Sequence, residues 1–111
     1  MKATDALRGH TLLPPADVLA QVPALYATDG VRVEEKLIHA RFYCGAATWL
    51  MAEFDGEQLA FGYCDLGLGF PEWGYFSIQE LHELLVVKEG IPIYVERDLA
   101  FVARPFGAIR Q

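Results

Sequence analysis

Few side chains in this sequence are equipped for chemistry, and their spacing decides which reactions are open to them. A thiol nucleophile needs a base and an electropositive, partly open setting that keeps it as thiolate. Cys44 and Cys64 lie in apolar stretches, and Arg41 is the one cation close to either. Buried free thiols describe them better than a nucleophile or, in a reducing compartment, a disulfide. His10, His39 and His82 are scattered without the close pairing of zinc ligands, so no metal site is expected. Ser77 followed by Glu80 is a capping box, which gives the hydroxyl a structural task.

Carboxylates offer the other route. Glu96 and Asp98 flank Arg97, and on an extended strand both project to one side, where they would hold Mg²⁺ or act as acid and base. The competing reading is a strand-end ion pair, with Arg97 bridging another carboxylate, and we favour it. Glu53, Asp55 and Glu57 crowd a hairpin tip, where solvated charge is the ordinary outcome. Gly67-Leu68-Gly69 lacks the third glycine and the lysine of a nucleotide loop. No catalytic residue, metal ligand or cofactor is therefore assigned.

Aromatic residues lead further. Trp49, Trp73, Tyr63, Tyr75 and Phe70 fall in the strands and the loop after them. An aromatic patch rimmed by carboxylates suits protein binding. Phe70 and Tyr63 are assigned to the core, whereas Trp49 is expected to be exposed. The candidate binding set is Trp49, Glu53, Trp73, Tyr75, Glu96, Arg97 and Asp98.

The elements that must position these residues can be read from periodicity. Residues 1–13 lack a sustained pattern and are expected to be flexible. Pro14-Pro15 precede a short helix over Asp17–Val22, stopped by Pro23. Strands follow over 37–44, 47–54 and 58–64. Asp55-Gly56 suggests a two-residue type I′ turn pairing Phe54 with Glu57 and Leu50 with Phe61. That register makes Leu50, Ala52, Phe54, Leu59 and Phe61 a core face, and puts Trp49, Met51 and Glu53 on a semi-polar face. A tight Gly45-Ala46 turn would set Arg41 opposite Leu50, unless the loop is longer or a bulge intervenes; otherwise Arg41 reaches the rim.

Residues 66–72 read as a loop and Trp73–Phe76 as a short strand. A helix starts at Ser77, presents Ile78, Leu81, Leu84 and Leu85 as its apolar stripe, and ends at Gly90 and Pro92. Strand segments at 93–95 and 99–103 close the chain. The fold class is α+β: an antiparallel sheet with one well-capped helix packed on a face and a short N-terminal helix.

At 111 residues the chain is expected to be one domain. With 53% hydrophobic and 22% charged residues it is not generally disordered. No apolar run reaches the roughly 18 residues a membrane span needs, and residues 1–5 do not resemble a signal peptide, so a cytoplasmic protein is expected. The formal charge of −6, from 15 acidic against 9 basic residues, argues against direct nucleic-acid binding. Arg97, Arg104 and Arg110 are the residues such binding would use.

Taken together, Leu25–Gly30, Glu34-Glu35-Lys36, His39, Gly74–Ser77 and Glu96-Arg97-Asp98-Leu99 with Phe101 resemble the domain-of-unknown-function family numbered 2958, over roughly residues 20 to 103. The resemblance implies a small bacterial mobile-element protein with no established activity. Charge, aromatics and that context together suggest a non-enzymatic interaction module for a partner with a basic surface. One version inhibits a host defence nuclease (an anti-CRISPR or anti-restriction role). The alternative is a small metal-dependent hydrolase using Glu96 and Asp98.

Overall fold

The apolar stretches between residues 40 and 77 supply four strands, and Glu96–Arg97 a fifth, of an antiparallel sheet in the computed structural model, which describes residues 3–109. In chain order the elements are α1 (Ala3–Arg8), α2 (Ala16–Leu19), β1 (Leu37–Ile38), β2 (Ala40–Cys44), β3 (Ala47–Phe54), β4 (Leu59–Asp65), β5 (Glu72–Ser77), α3 (Ile78–Glu83), β6 (Leu85–Lys88), β7 (Ile91–Tyr94), β8 (Glu96–Arg97) and β9 (Arg104–Pro105). Sheet order is β5-β4-β3-β2-β8, with β1-β9 and β6-β7 as separate two-stranded ribbons. The class is α+β, as expected.

The turns set the register. Gly45-Ala46 is a tight connection, since Cys44 pairs with Ala47, and Gly45 takes the positive φ (+57°) of a first central turn residue. Arg41 does sit opposite Leu50, and it escapes to the rim: its guanidinium lies 4.8 Å over the Tyr43 ring and 3.5 Å from Asp98. The β3–β4 connection is not the two-residue turn the sequence suggested. Asp55 accepts the amides of Glu57, Gln58 and Leu59 at 2.7–3.1 Å, which wraps residues 55–58 into a wider loop. Leu50 consequently faces Tyr63 rather than Phe61, and Phe54 faces Ala60 rather than Glu57.

A β-bulge between Met51 and Glu53 completes the departure. Two residues of β3 oppose one of β4 there, so side-chain parity reverses beyond the bulge. Phe54 joins Trp49 and Met51 on one face, and Glu53 joins Leu50 and Ala52 on the other. Both faces are covered. The larger core gathers Leu12, Phe42, Trp49, Met51, Phe54, Phe76, Ile78 and Leu81; the smaller holds Ile38, Leu50 and Ala52 beneath Tyr63, Trp73, Phe101 and Phe106.

The ends of the chain also differ from expectation. Within the segment expected to be flexible, Ala3–Arg8 form a helix, and Asp5, Arg8 and Leu12 are buried. Residues 1 and 2 lie outside the described residues. Arg8 binds Asp5 and donates to the Val95 carbonyl (2.7 Å), and Asp5 also accepts the Leu12 amide (3.0 Å). This spacing of opposite charges, i and i+3, was the signal that sequence reading passed over.

Ser77 caps α3 by accepting the Glu80 amide (3.2 Å), as expected. The helix stops at Glu83, far short of Gly90. The segment after it carries the β-branched Val86, Val87, Ile91 and Ile93 and forms a hairpin, with Glu89 (φ +54°) and Gly90 (φ +79°) supplying the two positive φ values of a type I′ turn. Only Ile78 and Leu81 of the expected stripe reach the core; Leu84 and Leu85 are exposed. Residues 99–103 form no strand.

Candidate interaction site

The structure corrects the central expectation about Trp49. It is 6% exposed and packs in the larger core, because the face predicted to be semi-polar is the one α2 and α3 cover. Glu53 is buried as well. Its carboxylate accepts the amides of Tyr26 (2.8 Å) and Thr28 (3.1 Å) and the Thr28 hydroxyl. Lys36 donates to the Thr28 carbonyl and hydroxyl from the other side. Glu53 and Lys36 therefore clamp residues 26–28 onto the sheet and are not presented to a partner. A charged residue inside the run Leu50-Met51-Ala52-Glu53-Phe54 was the available clue, because a buried carboxylate demands donors.

Trp73 and Tyr75 lie on the opposite face, paired across the sheet with Tyr63 and Phe61. The Phe61 and Tyr75 rings are 5.1 Å apart, and Tyr26 stands 6.4 Å from Tyr75 in an edge arrangement. Tyr26 itself has φ +71°. Tyr75 is 49% exposed at the sheet edge, whereas Trp73 is half-buried under Phe106.

Glu96, Arg97 and Asp98 end up at the opposite edge, where Glu96 and Arg97 pair with Tyr43 and Phe42. The trio does not form the ion pair expected of Arg97. Its guanidinium donates to the Thr11 carbonyl (3.1 Å), and Arg41 takes the Asp98 partnership. Glu96 accepts from the Tyr43 hydroxyl at 3.5 Å, and Asp98 also accepts the Ala100 amide at 3.0 Å. Nearby carboxylates raise the Tyr43 phenol further after burial has done so. Among the described residues no group of three or more His, Cys, Asp or Glu side chains is placed to hold a metal ion. Trp49 in the larger core, Glu53, Trp73 and Tyr75 on the other face, and the 96–98 trio at the far edge thus occupy separate places rather than one patch.

Cys44 and Cys64 are free thiols. Burial pushes Cys64 up to about 11, with Glu72 adding to the rise, and burial likewise raises Cys44. Both are protonated at neutral pH, the opposite of what a nucleophile requires. Arg104 is exposed, its guanidinium 4.6 Å over Phe101, and Arg110 lies outside the described residues.

Two features that sequence reading missed are apolar and open. One is a groove of about 580 Å³ beside β5, floored by Trp49, Cys64, Phe76 and Leu81 and walled by Phe70 and Leu84. Phe70, assigned to the core from sequence, is 86% exposed. The other is the β6–β7 ribbon, in which Leu85, Val86, Val87, Ile91 and Ile93 are all exposed. Leu84 and Leu85 join the two. The Val86-Val87 pair ahead of Glu89-Gly90 and Pro92 was the signal for the ribbon, but the helical spacing of Ile78, Leu81 and Leu85 obscured it.

An α+β chain with a doubly covered sheet and a bare apolar flank is the class these features define. Its sequence matches the model of a protein family of unknown function, DUF2958, over residues 28–106, and the chain belongs to that family. No curated protein and no solved structure matches it. No helix among the described residues is long and apolar enough to cross a membrane.

Proposed function

We propose that the protein is a non-catalytic interaction module that seats a partner protein on its bare flank, formed by Phe70, Leu84, Val86, Val87, Ile91 and Ile93. The supporting observation is the exposure of this set together with its grouping: Phe70 at 86% and Leu84 wall the groove, and Val87 at 65% and Ile91 at 63% lie on the hairpin that follows Leu84. Contiguous apolar surface of this kind marks a binding face. Trp49 no longer belongs to the reading, and Tyr75 at the groove edge takes its place.

The charge of −6 favours a partner with a basic docking surface, because complementary fields speed encounter and exclude wrong partners. In its sharpest form, the partner is a host defence nuclease met in the cytoplasm, and the protein is the accessory of a mobile element. The thiols support an intracellular setting, since both are free.

A photo-crosslinking residue placed at Val87 or Phe70, in cells that naturally carry the protein, tests this reading. Arg32, whose side chain is 76% exposed, is the control position. One discrete adduct from Val87 and Phe70, weakened by salt, and none from Arg32 is the expected pattern. Adducts from all three positions, or from none, would remove the proposal.

A further inference from the structure

The five-stranded sheet ends in β5, and that edge is unprotected. Its pairing with β4 shows which backbone groups face outward. The Ile78 amide donates to the Gln58 carbonyl (2.8 Å), so Leu59 and Ser77 form a pair without direct hydrogen bonds. Alternation along an antiparallel ladder then turns the N–H and C=O groups of Tyr75 and Trp73 away from β4. Among the described residues neither finds a backbone partner.

Exposed edges are ordinarily blunted by lysine, proline or a bulge. From Trp73 to Phe76 this one has none of them, and its register with β4 is unbroken.

The groove lies against the same edge. Gly74 forms part of its lining, and a Cβ built there meets nothing within 4 Å. The missing side chain leaves a site beside Trp49, Cys64 and Phe76 that is open to an incoming apolar side chain. Glu72 and Glu80 also line the groove. A volume of about 580 Å³ takes a few residues of chain rather than a domain.

Resting on the interaction reading above, we infer that β5 accepts an extended segment of the partner as a further strand. An apolar side chain of that segment sits over Gly74, and lysine or arginine side chains face Glu72 and Glu80. Main-chain bonds to Trp73 and Tyr75 supply affinity, and the groove supplies selectivity for an apolar residue with basic residues two positions away, which an extended strand projects to the same face. The two glutamates favour this occupant over a second copy of this acidic chain, which would bring its own Glu72 and Glu80 to the contact.

A short end-capped peptide with a central leucine and a lysine two residues to either side is the probe, with glutamate replacing both lysines in the control. Its addition is expected to slow exchange of the Trp73 and Tyr75 amides, and the control is expected to leave them unchanged. Gly74→Val fills the groove in open space, and Tyr75→Pro removes an outward donor that an edge strand can spare. Each should weaken peptide binding by about tenfold or more, with Tyr75→Phe matching the parent.

No peptide binding, undiminished affinity in Gly74→Val, or protection produced by self-association without peptide would overturn the inference. If Tyr75→Pro does not fold, Gly74→Val and the exchange data on the unaltered protein decide. Val87 and Phe70 adducts that persist in Gly74→Val would sink strand addition while leaving the interaction reading intact. Loss of adducts from every position, in the unaltered protein too, would sink the reading itself.

Discussion

The β3–β4 hairpin is covered on both faces, whereas the β6–β7 hairpin, equally rich in apolar residues, is covered on neither. In the first, Leu50, Met51 and Ala52 are all at or below 1% exposure. In the second, Val86, Val87 and Ile91 are at least half exposed. Composition does not separate them. The first lies at the centre of a five-stranded sheet with helices on one side and the C-terminal aromatics on the other. The second is a two-stranded ribbon, an arrangement that is marginal alone in water. It is held at its base, where the Tyr94 hydroxyl donates to the Leu7 carbonyl (3.0 Å) and Arg8 reaches the Val95 carbonyl. Burial of a strand is conferred by its neighbours, and a chain that leaves one apolar hairpin uncovered has left a place for something else.

The largest expected effect breaks the covered hairpin. A Cβ at Gly62 would stand 1.7 Å from the Leu50 carbonyl oxygen, a backbone atom beside the bulge that cannot yield cheaply. Gly62→Ala should cost more than about 3 kcal/mol in urea unfolding, or prevent folding. Melting like the parent would mean the bulged register is wrong.

Glu53→Ala comes next. It leaves the Tyr26 and Thr28 amides without their acceptor and removes the carboxylate that accepts the Thr28 hydroxyl beside Lys36. A loss of about 3 kcal/mol is expected, with faster amide exchange in residues 26–28. A loss below about 0.5 kcal/mol would show that the clamp is ornamental.

The comparison also shows how much the sequence could reveal. The bounds of β3 were read correctly, and the Ser77 cap with them, because each is decided by residues near in the chain. The α+β class followed. The faces of β3 follow the expected alternation up to Ala52, and only Glu53 and Phe54 exchange faces, because a bulge leaves no mark in residue type. Trp49 lies on the expected face, and its burial comes from the helices packed over that face, which strand alternation does not report. The flank around Phe70 and Val87 was hidden in another way. A hydrophobic residue is expected inside, and its exposure depends on how many strands the tertiary structure lays beside it. Trp73 and Tyr75 fall on a strand as expected, but that this strand is an edge is a property of strand order.

Acid sharpens the contrast at the base of the bare hairpin. Burial alone would raise the Asp5 carboxyl, but the Leu12 amide, His82 and Arg8 outweigh it and hold it below the ordinary carboxylate range. Its contribution to stability is therefore complete above that range and is lost as pH falls through the depressed folded value. Urea midpoints of the parent should drop on acidification, and the Val95 amide should lose exchange protection with them. Asp5→Asn should be less stable at neutral pH, with a flatter acid limb. An unchanged acid limb would take Asp5 out of the anchoring of the ribbon.

The smallest expected effect is the most telling, because it sets two valines side by side. Val87 is 65% exposed in the bare ribbon, and Val95 is fully buried just beyond it. Threonine matches valine in shape and strand preference, so the exchange changes little except the cost of burying a hydroxyl. Val95→Thr should cost about 2 kcal/mol, and Val87→Thr less than about 0.5 kcal/mol by the same urea measurement. Equal costs would mean that Val87 is already covered in the isolated protein, for instance by a second copy, and the uncovered flank would no longer be available to a partner. A negligible stability cost at Val87, together with a weakened Phe70 adduct, would separate binding from folding at a single methyl group.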